Sequence, residues 1–198
     1  MTQEFEHRFA DGEAEIQVEV VDGEGTVLGT VGKLEAHVPP GILHRAFSLF
    51  LFDPDGRMVL QRRAATKYHS PLLLTNATCS HPRPGEPVED AVRRRAAEEL
   101  GAHLEELREV GIVVYQVHDE RSGLSEHEYN HVFAGRVDAS ALRPDPEEVD
   151  EIVLVTPEEL EARRGSEPFT EWFSHVWERV APVAGEFGFR AGDTPAEG

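Results

Sequence analysis

The first third of the chain shows an alternation of apolar and polar positions that predicts β-strands. Residues 15–30 alternate around the turn sequence DGEG, and residues 45–63 hold two apolar runs around DPDG. A period of two puts alternate side chains on opposite faces of a strand, and short Asp/Gly turns join antiparallel neighbours. Both segments are therefore predicted to be β-hairpins. Further strands are predicted at 110–117, at 128–137 and directly before Thr156.

Three later segments have the end signals or the apolar spacing typical of α-helices rather than strands. Pro87 suits the first helical position, two acidic residues follow in the first turn, and Gly101 suits a helix end, so a helix is predicted to run to Leu100. Thr156 is the predicted N-cap of a short helix. A last helix is predicted from an apolar stripe made of Phe169, Trp172, Phe173, Val176 and Val180. With no internal repeat, the chain is predicted to be a single compact α/β (α+β) domain with a mixed β-sheet flanked by helices.

Charge and composition narrow the possible partners. The formal net charge is −19 and the isoelectric point is about 4.8, so the surface should repel nucleic acid and anionic membranes. No apolar run approaches the ~20 residues that span a bilayer, so we expect no membrane insertion. The acidic start does not resemble a signal peptide, which predicts a cytoplasmic location. The single cysteine, Cys79, is predicted to be a free thiol.

The cationic residues are almost all arginine. Only Lys33 and Lys67 are lysines among 19 basic residues, whereas 38 residues are acidic. This bias fits a salt-adapted cytoplasm, where screening tolerates a large like-charge excess, and it also fits a GC-rich genome. In either case, an anionic protein that binds an anionic ligand needs a local positive pocket.

Three histidines lie where a metal site could form. The prolines and glycine at 39–41 exclude a helix, which predicts His37 in a loop and His44 at the start of a strand. His81 falls in an irregular segment, two residues after Cys79.

Two carboxylates add to these histidines. Glu126 and Glu128 are two residues apart, so on a strand they share one face. Three imidazoles and two carboxylates suit Mn²⁺ or Zn²⁺. Spacing alone does not single them out, because the other histidines have an equal claim: His7, His69, His103, His118, His127, His131 and His175.

The predicted helix before Gly101 nearly fits the Nudix pattern G-x5-E-x7-R-E-U-x-E-E-x-G-U, in which carboxylates hold Mg²⁺ against a diphosphate. Glu98 and Glu99 match it, but Ser80 replaces the first glycine and Arg95 replaces a glutamate. Arg95 lies one turn from Glu99, so a metal ligand is exchanged for a phosphate-binding cation. This favours diphosphate binding over hydrolysis. The alternative is an ordinary salt-bridged surface helix.

Five segments together resemble the type I isopentenyl-diphosphate Δ-isomerases, a Nudix-fold family: HRAFSLFLF, QRRAATK, TNATCSHPRPGE, RRRAAEELG and SEHEYNHVF. The resemblance extends from about residue 17 to 184, which leaves 1–16 as an N-terminal extension and 185–198 as a flexible tail. It implies a compact α/β fold, interconversion of isopentenyl and dimethylallyl diphosphate, and an isoprenoid diphosphate as the small-molecule partner. A monomer is expected.

The resemblance also implies roles for individual residues. Cys79 and Glu128 would be the catalytic pair, joined by Tyr115, and Tyr115 and Trp172 would line the hydrocarbon end. Glu99 would hold a Mg²⁺ that also touches the diphosphate. The phosphate groups would face Lys33, Arg63, Lys67, Ser80 and Arg95. The Mn²⁺ or Zn²⁺ site would consist of His37, His44, His81, Glu126 and Glu128.

The implied chemistry needs an acid, a base, a wall that tolerates a cation and exclusion of water. A thiol near cationic groups can reach the thiolate state at neutral pH, which leaves this state open to Cys79. Simpler alternatives stay open: Cys79 as a small buried hydrophobe, Trp172 as core packing, and QRRAATK as a solvated strand end. At the level of function, the alternatives are a Nudix hydrolase of a nucleoside diphosphate derivative and a non-enzymatic diphosphate-binding module.

Overall fold

The computed structural model describes residues 16–104 and 106–191. The strands in these ranges are β1 Gln17–Val21, β2 Val27–Gly32, β3 His44–Phe52, β4 Met58–Arg63, β5 Leu74–Thr75, β6 Thr78–Ser80, β7 Glu106–Asp119, β8 Leu124–Arg136 and β9 Val149–Val155. The α-helices are α1 Lys33–His37, α2 Val88–Leu100, α3 Pro157–Arg164 and α4 Phe173–Val180. Short 3₁₀ helices lie at Ala139–Ala141 and Ala184–Phe187.

Strand β3 is the centre of one mixed sheet. It runs parallel to β8 over its whole length, from the His44–Glu128 pair to the Phe52–Arg136 pair. It also pairs antiparallel with β1, β4 and β6. Strand β7 continues the sheet beyond β8, and β4 lies between β5 and β9. The predicted mixed α/β fold is confirmed.

Both faces of β3 are buried, and its alternate side chains belong to two separate hydrophobic clusters, one on each face of the sheet. Phe47, Leu49 and Leu51 face one way and pack in a cluster with the buried side of α2. Phe50 and Phe52 face the other way and pack in a second cluster with α4. Covering both faces explains why this strand is an almost continuous apolar run. His44 and Ser48 have the parity of Phe50, so they lie on the α4 face.

The local signals for turns and caps are confirmed. Both predicted hairpins form, as β1–β2 and β3–β4. Helix α2 begins at Val88, so Pro87 is its N-cap rather than its first helical residue, and it ends before Gly101, which adopts a left-handed φ of 62°. Thr156 caps α3 through a capping box: its side chain accepts from the Glu159 N–H, and the Glu159 side chain accepts from the Thr156 N–H.

Three local predictions need correction. His37 is the last residue of α1 rather than part of a loop, because the residue before a proline is restricted and Pro39 excludes the helix only from residue 38 onwards. Strands β7 and β8 are longer than predicted, since backbone pairing extends through polar positions up to the hairpin turn. Helix α4 starts only at Phe173, while Phe169 bridges to Leu74.

The predicted C-terminal tail is partly packed against the core. Phe187 and Phe189 are buried in the core beside Phe52, so the expected tail of 185–198 begins with packed residues. Residues 1–15, with His7, and 192–198 lie outside the described residues, and the division of the chain at 17 and 184 stays a prediction. Among the described helices, none combines the length and apolar character needed to cross a membrane.

Candidate active site

Strand register brings the predicted site residues together. In the parallel β3–β8 pair, His44 lies opposite Glu128, and in the antiparallel β7–β8 pair Tyr115 lies opposite Glu128. In the β3–β6 pair, Ser48 lies opposite Cys79. Side chains at opposed positions on neighbouring strands lie within contact distance. The pairing of four strands therefore assembles a site from residues as far apart in sequence as His44 and Glu128.

The first part of the site is a buried cluster of possible metal ligands. One ligand atom from each of His37, His44, His81 and Glu128 lies within 4.8 Å of all the others. Nε2 of His44 is 3.0 Å from Nε2 of His81, and Nε2 of His81 is 3.2 Å from Oε1 of Glu128. This group contains four of the five residues expected at the metal site.

The tautomers of two histidines suit metal binding. Nδ1 of His37 lies 2.6 Å from the Lys33 carbonyl, and Nδ1 of His44 lies 2.7 Å from the Ile42 carbonyl. A carbonyl only accepts, so both Nδ1 atoms carry a proton, which leaves Nε2 of each ring as the atom that a metal would use. Nε2 of His37 also faces Oε2 of Glu126 at 2.9 Å; burial acts to lower the pKa of His37, but Glu126 outweighs it and raises this pKa, so a metal would displace a proton there. Burial and the neighbouring His81 lower the pKa of His44 to about 3, which keeps this ligand neutral. The donor set fits a divalent metal ion.

Glu126 lies beside this cluster and bridges two imidazoles. Its Oε2 is 2.9 Å from Nε2 of His37, and its Oε1 is 3.1 Å from Nε2 of His69. Burial acts to raise the pKa of Glu126, but the nearby His37 outweighs it and holds the pKa well below the usual value. Glu126 is therefore an anion at neutral pH.

Cys79 is held by three polar neighbours on the α4 side of the sheet. Its thiol donates to Oδ1 of Asn76 at 3.1 Å, and the Trp172 indole N–H donates to Sγ at 3.2 Å. The Ser48 hydroxyl is 3.4 Å from Sγ. Burial, with Glu128 nearby, raises the pKa of Cys79 to about 12. The thiolate that the sequence left open for Cys79 is not favoured here, because burial outweighs the hydrogen bonds to sulfur and keeps the thiol neutral.

Glu128 is surrounded by donors. Tyr115 donates its hydroxyl to Oε2, and the Asn130 amide donates to the same oxygen at 2.8 Å. Burial and the neighbouring Glu126 carboxylate raise the pKa of Glu128. Burial and Glu128 also raise the pKa of Tyr115 well above its ordinary value, so the phenol stays protonated and acts as a donor.

A single pocket joins these groups to a cationic end. Its lining includes the proposed proton-transfer and hydrocarbon residues and all five residues expected at the phosphates: Cys79, Glu128, Tyr115, Trp172, Lys33, Arg63, Lys67, Ser80 and Arg95. His37, His44 and Glu99 lie behind this lining. QRRAATK is thus not merely a solvated strand end, and Trp172 both packs in the core and lines the pocket.

Carboxylates already neutralise the cationic end. Arg95 lies 2.7 Å from Oε1 of Glu99 and 3.0 Å from Oε1 of Glu148, and Lys67 contacts Oε2 of Glu148. Burial acts to raise the pKa of Glu148, but Lys67 and Arg95 lower it to about 2. Glu99, expected as a Mg²⁺ ligand, is buried and directed at Arg95. Arg63 is 5% exposed, and its Nε has no hydrogen-bond partner among the described residues, which suits an incoming anion.

Sequence reasoning missed several residues of this site. Asn76 and Asn130 contact the sulfur and the carboxylate of the proposed catalytic pair. Both lie in segments that carry the family resemblance, TNATCSHPRPGE and SEHEYNHVF, but neither was assigned a role. Glu148 belongs to the acidic run DPEEVDE, whose members are indistinguishable by composition. His69 was one histidine among several, and only its position two residues after Lys67 could have drawn attention to it.

Comparisons with known proteins agree with this geometry. The NUDIX domain family matches residues 42–173. An isopentenyl-diphosphate Delta-isomerase of Streptomyces avermitilis is 49% identical over 181 residues, which cover 91% of each chain. The protein of the same name from Halorhodospira halophila is 41% identical over 84% of this chain and 95% of its own.

Solved structures support the fold. A Deinococcus radiodurans protein superposes with a TM-score of 0.66 at 21% identity, covering 82% of this chain and 98% of its own. A MutT protein from Methanosarcina mazei gives a TM-score of 0.56 at 20% identity, covering 71% and 94%. At these identities the likeness shows the fold alone. The relatives of 41–49% identity favour the isomerase over the hydrolase, and the chain belongs to the isopentenyl-diphosphate Delta-isomerase family, built on the Nudix fold.

Proposed function

We propose that this protein interconverts isopentenyl diphosphate and dimethylallyl diphosphate. The observation that carries the proposal is the single pocket in which a neutral thiol, Cys79, and a carboxylate, Glu128, both face the space beside a cationic end. The family membership of the chain supports the same reaction. A double-bond shift in a diphosphate ester needs two side chains that transfer protons and a set of cations that binds the diphosphate.

The reaction moves protons and changes no oxidation state. A proton adds to the terminal CH₂ of the alkene and leaves a tertiary carbocation, and a different proton then leaves the carbon nearer the diphosphate. Cys79 and Glu128 supply the two proton-transfer groups. Because the reaction is reversible, each group donates in one direction and accepts in the other. The neutral thiol carries a proton at neutral pH, since burial raises the pKa of Cys79 to about 12.

Neighbouring side chains hold these groups and protect the cation. Asn76 and the Trp172 indole orient the sulfur, while Tyr115 and Asn130 orient the carboxylate of Glu128. The aromatic faces of Trp172 and Tyr115 line the hydrocarbon end, where a ring stabilises a desolvated cation by about 1–2 kcal/mol. Their bulk also excludes water, which would otherwise capture the carbocation.

The metal site is part of the proposal. His37, His44, His81, Glu126 and Glu128 would hold one divalent ion, Mn²⁺ or Zn²⁺, consistent with their nitrogen and oxygen donors. When bound, this ion would fix the orientation of the Glu128 carboxylate and stabilise its charge. The carbonyl contacts of the two Nδ1 atoms support it, because they fix the rings of His37 and His44 with Nε2 directed at the cluster.

The diphosphate would occupy the cationic end. We propose that Lys33, Arg63, Lys67, Ser80 and Arg95 bind it through charge-assisted hydrogen bonds. A Mg²⁺ ion that enters with the substrate would meet the buried carboxylate of Glu99, which now faces Arg95. The cytoplasmic location and monomeric state expected from the sequence stay predictions.

The direct test follows the alkene by proton NMR. Purified, metal-loaded protein in high salt is incubated with isopentenyl diphosphate and Mg²⁺ in D₂O, beside a sample treated with a chelator. We expect dimethylallyl diphosphate with deuterium incorporated, in the metal-loaded sample only. Release of phosphate would support the hydrolase instead. Unchanged substrate with folded, metal-loaded protein would overturn the isomerase and leave a binding module.

A further inference from the structure

His69 lies between the metal cluster and the cationic end of the pocket, and neither of the roles proposed for these two ends includes it. Its side chain is 13% exposed and lies at the pocket wall. Its Nε2 is 3.1 Å from Oε1 of Glu126, on the opposite side of that carboxylate from His37. Oε1 of Glu126 is buried and has no aligned hydrogen bond from any described residue, so its 3.1 Å contact with Nε2 of His69 is a close approach rather than a formed hydrogen bond. A proton on Nε2 of His69 would lie within reach of this unsatisfied acceptor.

Arg63 determines which nitrogen of His69 carries the proton. Its Nη2 lies 3.4 Å from Nδ1 of His69 and donates to the His69 carbonyl at 3.2 Å. A guanidinium only donates, so Nδ1 must accept and Nε2 must carry the proton. Burial and the charge of Arg63 lower the pKa of His69 to about 4, which agrees with a neutral ring. The protonated Nε2 therefore faces the Glu126 carboxylate.

The backbone around His69 is held by further contacts. Ser70 has a left-handed φ of 47°, a conformation that is unfavourable for a non-glycine residue unless surrounding contacts hold it. Its N–H and hydroxyl both donate to Oδ2 of the buried Asp119, at 3.2 and 3.0 Å. On its other side, the His69 ring packs 5.5 Å from the Trp172 ring. Contacts with several elements of the fold therefore fix the orientation of the His69 imidazole.

We propose that His69 is a positioning residue for the metal site, holding one oxygen of Glu126 while the other oxygen faces His37, with Arg63 fixing the tautomer of the ring. Hydrogen-bonded partners of metal ligands typically contribute about 10- to 100-fold in metal affinity. The inference rests on the metal site proposed above. Arg63, one of the cations proposed to bind the diphosphate, therefore also contacts His69, which positions a proposed metal ligand.

The test measures metal affinity without turnover. Metal-free wild-type protein and variants are titrated with Co²⁺, followed by visible absorption, and with Mn²⁺ in competition with a chelator. We expect His69→Leu to bind both ions about 10- to 100-fold more weakly, with an altered Co²⁺ spectrum. His69→Gln places an amide donor near the position of Nε2, so its affinity should stay within about threefold of wild type.

A matched control exists on the protein surface. His131 contacts Glu109 at 2.7 Å and its side chain is 17% exposed, but it lies outside the pocket, so His131→Leu should bind metal as wild type does. Unchanged affinity in His69→Leu would overturn the proposal, and so would equal weakening in His69→Gln. If His69→Leu does not fold, His69→Asn, whose amide is too short to reach Glu126, replaces it. Failure of wild-type protein to bind either ion would instead overturn the metal site itself.

Discussion

The two ends of the pocket solve different problems with different kinds of contact. At the proton-transfer end, Cys79 and Glu128 are held by neutral donors and acceptors such as Asn76 and Tyr115. At the diphosphate end, the cations are already paired with carboxylates, chiefly Glu148. In the proposed function, the hydrogen bonds of the first end are already formed without substrate, whereas the cations of the second end would exchange carboxylates for phosphate.

The difference has a physical basis. Proton transfer depends on pKa values and directions set by burial, so fixed hydrogen bonds in a dry site serve it best. Binding a diphosphate in a chain of net charge −19 requires cations that do not repel one another in the free protein. Glu148 pairs with both Lys67 and Arg95, and in the proposed function a phosphate group would take its place between them.

The largest expected effect comes from removing the sulfur. Cys79→Ala should lower kcat by about 10²–10⁴-fold, the usual contribution of a general acid or base, with little change in substrate affinity. Ser48→Ala is the control, because Ser48 touches the thiol without being a proposed proton carrier. Steady-state kinetics and a thermal melt of each variant check both statements. A Cys79→Ala enzyme that turns over normally, or one that fails to fold, would favour a structural cysteine.

A smaller effect is expected from the support of Glu128. Tyr115→Phe deletes the hydroxyl that donates to this carboxylate, and a hydrogen bond to a charged group is worth about 1.5–3 kcal/mol, so kcat should fall about 10- to 100-fold. Tyr129→Phe is the matched control, since its hydroxyl donates to the Glu24 carbonyl on the surface. Equal rates for the two variants would show that the Tyr115 hydroxyl does not position the Glu128 carboxylate.

At the diphosphate end a substitution should strengthen binding, whereas the substitutions described above weaken catalysis. Glu148→Gln removes the anion that competes for Lys67 and Arg95, so inorganic diphosphate without Mg²⁺ should bind more tightly, by about three- to tenfold. Glu151→Gln breaks the ion pair with Arg62 outside the pocket and should leave binding unchanged. Calorimetric titration measures both. Weaker binding to Glu148→Gln would mean that Glu148 supports the cations rather than competing for them.

The same carboxylate predicts a pH effect on stability. The folded pKa of Glu148 is about 2, below its ordinary value of 4.5, so its ion pairs stabilise the fold fully above about pH 4.5. That contribution is lost as the pH falls from 4.5 towards 2. Urea unfolding should therefore show wild type more stable than Glu148→Gln at pH 7, with the gap narrowing at pH 3.5. A gap independent of pH would contradict this sign.

The smallest effect concerns the charges outside both ends. Raising KCl from 0.1 to 2 M shortens the screening length from about 10 Å to about 2–3 Å, which should relieve carboxylate repulsion. We expect the melting temperature to rise by several degrees, at about 2–4 °C per kcal/mol for a chain of this size. A melting temperature independent of salt would count against salt adaptation and favour codon bias as the origin of the arginine content.

Features set by neighbouring residues were predictable from the sequence. The hairpins, the left-handed end of α2 at Gly101 and the capping box at Thr156 follow from local backbone preferences. The shared face of Glu126 and Glu128 follows from the period of a strand. Most of the candidate site was accessible through the family resemblance, because its motifs are short and continuous in sequence.

The sequence by itself determined which residue types were available and where each strand turns, because these depend on contacts a few residues apart. Only the tertiary structure decided what surrounds each group. The neutral state of Cys79, the pairing of Glu99 with Arg95 and the tautomer of His69 arise from burial or from contacts between packed elements. Burial and tertiary geometry depend on the whole fold, so no local pattern could reveal them.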